Sequence, residues 1–249
     1  MFQNIPQVTK NILILNILFY VASLVLASKG YDPIRMLGVH YVNSPLFEPY
    51  QIVTHMFMHS LNTPWHIFFN MFLLVMFGSH LERVWGAKRY FIFYILAGLG
   101  AFALYNAIGV YELMQAKQKL ISLGIDPLMF KDQIEKADSY NIIFHNPTYD
   151  APAIVYQNMS KSVMVGASGA LFGLLAGFAM LFPNTELMLL FPPIPIKAKY
   201  LIGAYVVFEA YLSFNPTNDS IAHLAHVGGA LVGVIIVLIW RRTDRKNFW

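Results

Sequence analysis

Apolar and polar positions fall along this chain in long blocks. Six apolar runs, near residues 11–28, 64–80, 89–110, 166–182, 199–214 and 221–240, alternate with shorter polar joints and two long polar stretches. A helix crossing the hydrocarbon core of a bilayer needs about 20 largely apolar residues, so the pattern predicts six spans. The stretch 29–63 predicts a long connection of mixed character ending in QIVTHMFMHS. The stretch 111–161 predicts a polar insertion between the third and fourth spans. Within it, YELMQAKQKLISL and DPLMFKDQIEKADSY carry helix-spaced apolar residues among charges. They predict short amphipathic helices lying on the membrane or packed on the bundle. No repeat or low-complexity linker divides the chain, so residues 1–249 predict one membrane domain.

Composition narrows this further. The chain is 57% hydrophobic and only 12% charged, with a mean hydropathy of +0.53, against roughly 25% charged residues in a soluble domain. The fold class is therefore an all-α membrane bundle. With no cysteine, disulfides, thiolate metal sites and cysteine nucleophiles are excluded. The net charge of +4 bears on topology and gives no reason to expect a nucleic-acid partner. Six spans put both termini on one side, with Lys10, Arg83, Lys88, Arg89, Lys197, Lys199, Arg241, Arg242, Arg245 and Lys246. The other side carries an excess of acids. Cations concentrate on the cytoplasmic side, so both termini are expected there, with the cluster after the sixth span as an inner-leaflet anchor.

Helix rise, 1.5 Å per residue, turns the positions of polar residues into depths. The second span opens outside with Thr63 as cap and Pro64 at the first helical position. His66 and Asn70, four apart, project from one face. The sixth span is expected to begin at Asp219 or Ser220, placing His226 about 9 Å deep. The fourth span, GASGALFGLLAGFAMLF before Pro183, measures about 25 Å against a hydrocarbon core of about 30 Å. Its outer end starts below the surface, and Ser168 lies in that sunken first turn. Gly169, Gly173 and Gly177 repeat every four residues on the fourth helix, and Ala222, Ala225, Gly229 and Gly233 offer a similar face on the sixth. Such faces let helices pack closely in lipid, near enough for a hydroxyl and an imidazole on two helices to meet.

These residues resemble the rhomboid intramembrane serine proteases. The resemblance rests on GASG (Gly166–Gly169), on AHVGGALVG (Ala225–Gly233), and on HIFFN (His66–Asn70) flanked by QIVTHMFMH and FGSHLE. It implies a six-helix rhomboid-like bundle and a Ser–His dyad without an acidic third member. Ser168 is then the nucleophile and His226 the general base. His66, Asn70 and the Ser168 backbone N–H are implied as the oxyanion hole. Phe172, one turn after Ser168, is implied to stack on the histidine, with Gly166, Gly169 and Gly229 supporting the site. Water is the second substrate, and neither metal nor other cofactor is expected. The partners are transmembrane protein substrates and the lipid bilayer. The expected location is a bacterial inner membrane, with the site opening to the outer side. Two features depart from the family's pattern: residues 29–49 contain no tryptophan, and the 111–161 insertion is large for a minimal member.

Other polar residues have plainer readings. His223 in HLAH is a rival base one turn nearer the surface. His55 and His59, four apart, mimic a metal pair but read better as hydrogen-bonded loop residues, and His40, His80 and His145 as interfacial ones. Glu209 is the only acid inside a span and so a functional candidate, either hydrogen-bonded or gating the site. A catalytically silent rhomboid-like protein that binds membrane helices is the alternative function, and a transporter would need a polar path through the apolar inner halves of the spans.

Overall fold

The computed structural model describes residues 5–136, 142–188, 193–215 and 222–243. Its first helix, α1 (Gln7–Ser28), begins four residues before the apolar block and is capped from elsewhere in the chain. The Glu82 carboxylate accepts from the Val8 N–H (2.9 Å), the Thr9 N–H (2.7 Å) and the Thr9 hydroxyl (2.8 Å). A negative group there meets the positive end of the helix dipole. The long connection that follows contains two short helices, α2 (Pro33–Leu37) and α3 (Gln51–Thr54).

Helix α4 (Pro64–Leu73) starts with proline at its first position, as the sequence predicts, although the Thr63 side chain makes no cap bond. It continues through a π-helical stretch, Leu74–Gly78, into α5 (Ser79–Ser122). The second and third apolar blocks therefore form one helical run, broken only at Gly86 (φ 75°, ψ 162°). That left-handed φ is open to glycine and strained for other residues, and it lets the chain reverse in a single residue.

The third run outlasts its apolar block. YELMQAKQKLISL is the last part of α5 and no separate surface helix, because Leu113 and Leu120 stay in phase with its packed face and are buried. The rest of the insertion holds a 3-10 turn (Pro127–Phe130), α6 (Lys131–Glu135) and α7 (Pro147–Lys161). Leu120, Phe130, Ile134 and Ala153 bury one another there in a small separate core. The insertion also grips the first connection. The Arg35 guanidinium donates to the Ile134 and Glu135 carbonyls, the Ser44 hydroxyl donates to the Ser160 carbonyl (2.6 Å), and Val39 pairs with Met164.

The fourth block forms α8 (Ser168–Leu181). A hairpin of β1 (Glu186–Met188) and β2 (Pro195–Lys197), with Glu186 opposite Lys197, leads to α9 (Ala198–Phe214). The last helix is α10 (His223–Thr243). Its expected cap, Asp219 or Ser220, and the cations Arg245 and Lys246 lie outside the described residues.

Helix α8 sits at the centre, buried from Gly169 to Phe178. Contacts around its glycines give the directions of its neighbours. Gly177 faces Phe93 (3.1 Å from a built Cβ), Gly173 faces Ala97 and Gly169 faces Ala101, so α5 after Gly86 runs antiparallel to α8 in steps of four. Gly229 lies on Gly169 and Gly233 on Gly173, so α10 runs parallel to α8. Alanine at Gly229 would drive its methyl into the Gly169 carbonyl. No other side chain permits that approach. Small residues thus replace apolar bulk as the packing device, as expected where lipid is the solvent.

The outer surface is apolar. Leu18, Val21, Phe91, Leu231 and Leu238 are among the exposed large side chains. The helix Gln7–Ser28, the run Pro64–Ser122 and the helix His223–Thr243 are each long and apolar enough to cross a membrane, and Ser168–Leu181 is a shorter apolar helix.

Candidate active site

Helix α8 is 14 residues long, about 21 Å, and its first residue is Ser168. Helix α10 runs beside it in the same direction, with the Gly169–Gly229 contact within one turn of Ser168 and His226. That register brings the Ser168 hydroxyl to 2.9 Å from His226 Nε2. The Phe172 ring, one turn further along α8, stacks on the His226 imidazole at 4.3 Å between centroids and 11° between planes. Stacking fixes the plane of the imidazole, and the hydrogen bond fixes its direction.

The back of the ring meets an acid. His226 Nδ1 is 2.8 Å from Glu209 Oε2, on α9, and His223 Nδ1 is 2.7 Å from the same oxygen. A buried carboxylate thus contacts the histidine of the expected Ser–His dyad, and of the two readings of Glu209 it is the hydrogen-bonded one that matches this contact. His223, the rival base, points its Nδ1 at that carboxylate, and the nitrogen 2.9 Å from the serine belongs to His226. The signal in the sequence was the coincidence of a lone acid in an apolar helix with two histidines three apart. Nothing in the periodicity says that α9 turns the acid toward α10.

On the opposite side of Ser168 lies His66, on α4. The Ser60 N–H donates to His66 Nδ1 at 3.1 Å, so that nitrogen is the acceptor and Nε2 of the neutral ring carries the hydrogen. Nε2 faces Gly166. A Cβ built at Gly166 would lie 3.4 Å from both His66 Nε2 and Ser168 Oγ. Gly166 has φ +127°, a conformation side-chain-bearing residues rarely adopt. The missing side chain leaves a space touched by the hydroxyl and by an N–H donor. The Ser168 backbone N–H belongs to the first turn of α8, where amides lack intrahelical acceptors. Asn70 lines the same cavity, but its Nδ2 donates to the His66 carbonyl at 2.6 Å, leaving one amide hydrogen for other partners.

The site lies in a cavity of about 1190 Å³ whose walls include Ser168, His226, His66, Gly166, Trp65 and Tyr205. Other candidates from the sequence fall outside it or hold its walls. His55 lines it too, but its Nδ1 bonds the Gln51 carbonyl at 2.9 Å, while its own carbonyl accepts from the Gly166 N–H at 2.9 Å. Burial pushes the His55 imidazole down to about 4, so it is neutral at physiological pH. His59 Nε2 meets the Asn16 side-chain oxygen at 2.9 Å. The two histidines are thus hydrogen-bonded to separate partners.

Glu209, His223 and His226 offer ligand atoms within 4.8 Å of one another, which raises the question of a metal. Two ligands of one tetrahedral zinc, each at about 2.0–2.1 Å, stand about 3.3 Å apart. The observed 2.7 and 2.8 Å are instead N–H···O distances. These residues fit a hydrogen-bonded cluster.

A family model described as the Rhomboid domain matches residues 46–125 and 141–243. The chain is 24% identical over 249 aligned residues to rhomboid protease AarA of Providencia stuartii, covering 96% of this chain and 74% of that protein. It is 27% identical over 176 residues to the mitochondrial rhomboid protein 1 of Saccharomyces cerevisiae, covering 69% of this chain and 36% of the yeast protein. The chain thus spans about a third of the length of the yeast relative.

Proposed function

Because the chain belongs to the rhomboid family and is an integral membrane protein, we propose that it is a serine endopeptidase that cleaves other membrane proteins in or near their transmembrane segments. The observation that carries this reading is the 2.9 Å contact between Ser168 Oγ and His226 Nε2 inside a large cavity. In the first step Oγ attacks the scissile carbonyl carbon while its proton passes to Nε2. His66 Nε2–H and the Ser168 N–H face the space where the oxyanion develops, each such donor contributing about 3–4 kcal/mol in soluble enzymes. Collapse of the tetrahedral intermediate breaks the C–N bond, and His226 returns its proton to the departing amine. Water, deprotonated by the same ring, then hydrolyses the Ser168 ester. The substrate helix must unwind locally, since a peptide bond within an intact helix is shielded.

Six spans place both termini on one side, which the positive-inside rule makes cytoplasmic. The shortness of α8 sets Ser168 below the opposite surface, where water enters from outside. A bacterial inner membrane fits the Providencia relative.

The test is cleavage of a reporter transmembrane protein in liposomes, with fluorophosphonate labelling alongside. Wild-type protein is expected to cleave and to label. Ser168→Ala abolishes both, and His226→Ala abolishes cleavage. Cleavage that survives Ser168→Ala after removal of contaminants refutes the proposal, and a folded wild-type protein that binds reporter without cutting or labelling would be a silent binder instead.

A further inference from the structure

A carboxylate inside an apolar bundle is costly unless its oxygens are satisfied. Glu209 is 4% exposed and the only acid in α9. It lies across from the two histidines at the start of α10, and one of its oxygens meets both at 2.7 and 2.8 Å. An ionised carboxylate only accepts hydrogen bonds, so both Nδ1 atoms are donors. Beside an ionised Glu209, His226 carries its hydrogen on Nδ1, and the lone pair of Nε2 then faces the Ser168 hydroxyl. A free imidazole exchanges between two tautomers, and the one protonated on Nε2 cannot take the serine proton.

The geometry points to Glu209 as the positioning residue for His226, giving a Ser168–His226–Glu209 relay in which His223 contacts the same carboxylate oxygen. This assignment rests on the protease reading above. Glu209 has two tasks in it. Before attack it keeps Nε2 unprotonated and aimed at Oγ, together with the Phe172 stack. After attack, when His226 carries the proton received from Ser168, the Nδ1–H bond to Oε2 becomes charge-assisted and stabilises the imidazolium. The carboxylate itself gains no proton. His223 donates to the same oxygen at 2.7 Å, so α10 binds the acid at two successive turns and restricts its rotation toward the cavity. An acid serving only to hold α9 against α10 would need neither contact with the back nitrogen of the ring nor alignment with the serine.

The experiment uses the full-length protein in lipid nanodiscs, comparing wild type with Glu209→Gln, Glu209→Asp and His223→Ala. Reporter cleavage gives kcat and KM, and thermal unfolding verifies that each variant is folded. Nitrogen NMR of labelled histidines reads the His226 tautomer. Glu209→Gln is expected to lower kcat by about 100-fold or more, since loss of the acid in a soluble serine protease costs about 10⁴-fold. KM should stay within about threefold of wild type, because substrate does not contact the carboxylate. Glu209→Asp restores part of kcat, and His223→Ala lowers it less than Glu209→Gln does. The wild-type spectrum shows His226 protonated on Nδ1 and bare on Nε2, and the glutamine variant a mixture. A folded Glu209→Gln protein with wild-type kcat overturns the relay and leaves the protease reading intact. A wild-type His226 protonated on Nε2, or zinc retained at this cluster after purification, overturns it as well. If the wild-type protein neither cleaves nor labels, the protease reading fails instead, and the tautomer still decides whether Glu209 orients the ring.

Discussion

Gly229→Ala tests whether the distance between two helices governs the chemistry. A Cβ at position 229 would run into the Gly169 carbonyl oxygen and lie 2.7 Å from its carbon. Carbon atoms rest at about 3.5–4.0 Å and the oxygen contact is closer still, so α8 and α10 must part by at least about 1 Å. Gly169 directly follows Ser168, and Gly229 is less than one turn from His226, so the displacement reaches both groups almost undiminished. A 2.9 Å hydrogen bond then opens to about 3.9 Å, beyond bonding range. Misplacement by about 1 Å costs about 100-fold in rate, and overpacking a tight contact costs about 1–3 kcal/mol in stability. Two comparisons separate these effects. Gly233→Ala meets Gly173 Cα at 2.8 Å and carries a similar stability cost seven residues from His226, with a smaller loss of kcat. Gly203→Ala, with nothing within 4 Å of its Cβ, leaves both unchanged. Reporter cleavage in nanodiscs and thermal unfolding of the same samples give the two quantities. A folded Gly229→Ala protein with wild-type kcat refutes the view that this glycine contact sets the serine–histidine separation.

The remaining predictions concern other parts of the site and one distant anchor. His66→Ala removes the proposed oxyanion donor and is expected to lower kcat by about 10²–10³-fold with little change in KM, measured by initial rates over a range of reporter concentrations. Gly166→Ala forces a side chain into a strained φ, at about 1–3 kcal/mol, and fills the space between His66 and Ser168; fluorophosphonate labelling should fall below a tenth of the wild-type rate. Glu82→Ala leaves the Val8 and Thr9 amides unsatisfied and should cost about 1–3 kcal/mol per orphaned group, seen in thermal unfolding, while kcat of the folded protein stays within twofold of wild type.

The hydropathy blocks located the main helices to within a few residues because apolar length is what lipid selects. What they could not show was how blocks join. The one-residue reversal at Gly86 leaves no polar loop between the second and third runs, and α5 outlasts its apolar block because Leu113 and Leu120 bury one face of an otherwise polar segment. Helix α7 was also unforeseen, although Asn146, whose side chain accepts from the Thr148 N–H at 3.0 Å, and Pro147 at the first position are ordinary start signals. Its composition masked them. Ser168, His226 and His66 were legible as polar residues at one depth on three apolar helices, because helix rise is constant; their roles, and Phe172 altogether, came from the family resemblance. The place of Glu209 was not legible, since its meaning depends on rotation of α9 about its axis, which no local pattern encodes.

Helix α1 is attached by different means from the glycine-packed centre. Its cap on Glu82 and the Asn16 contact with His59 are polar clasps on a rod whose flanks are largely bare. Shape tolerates sliding, whereas a carboxylate gripping two amides accepts a single register. The Glu82 carboxylate therefore holds this rod at one height beside the run that carries the acid.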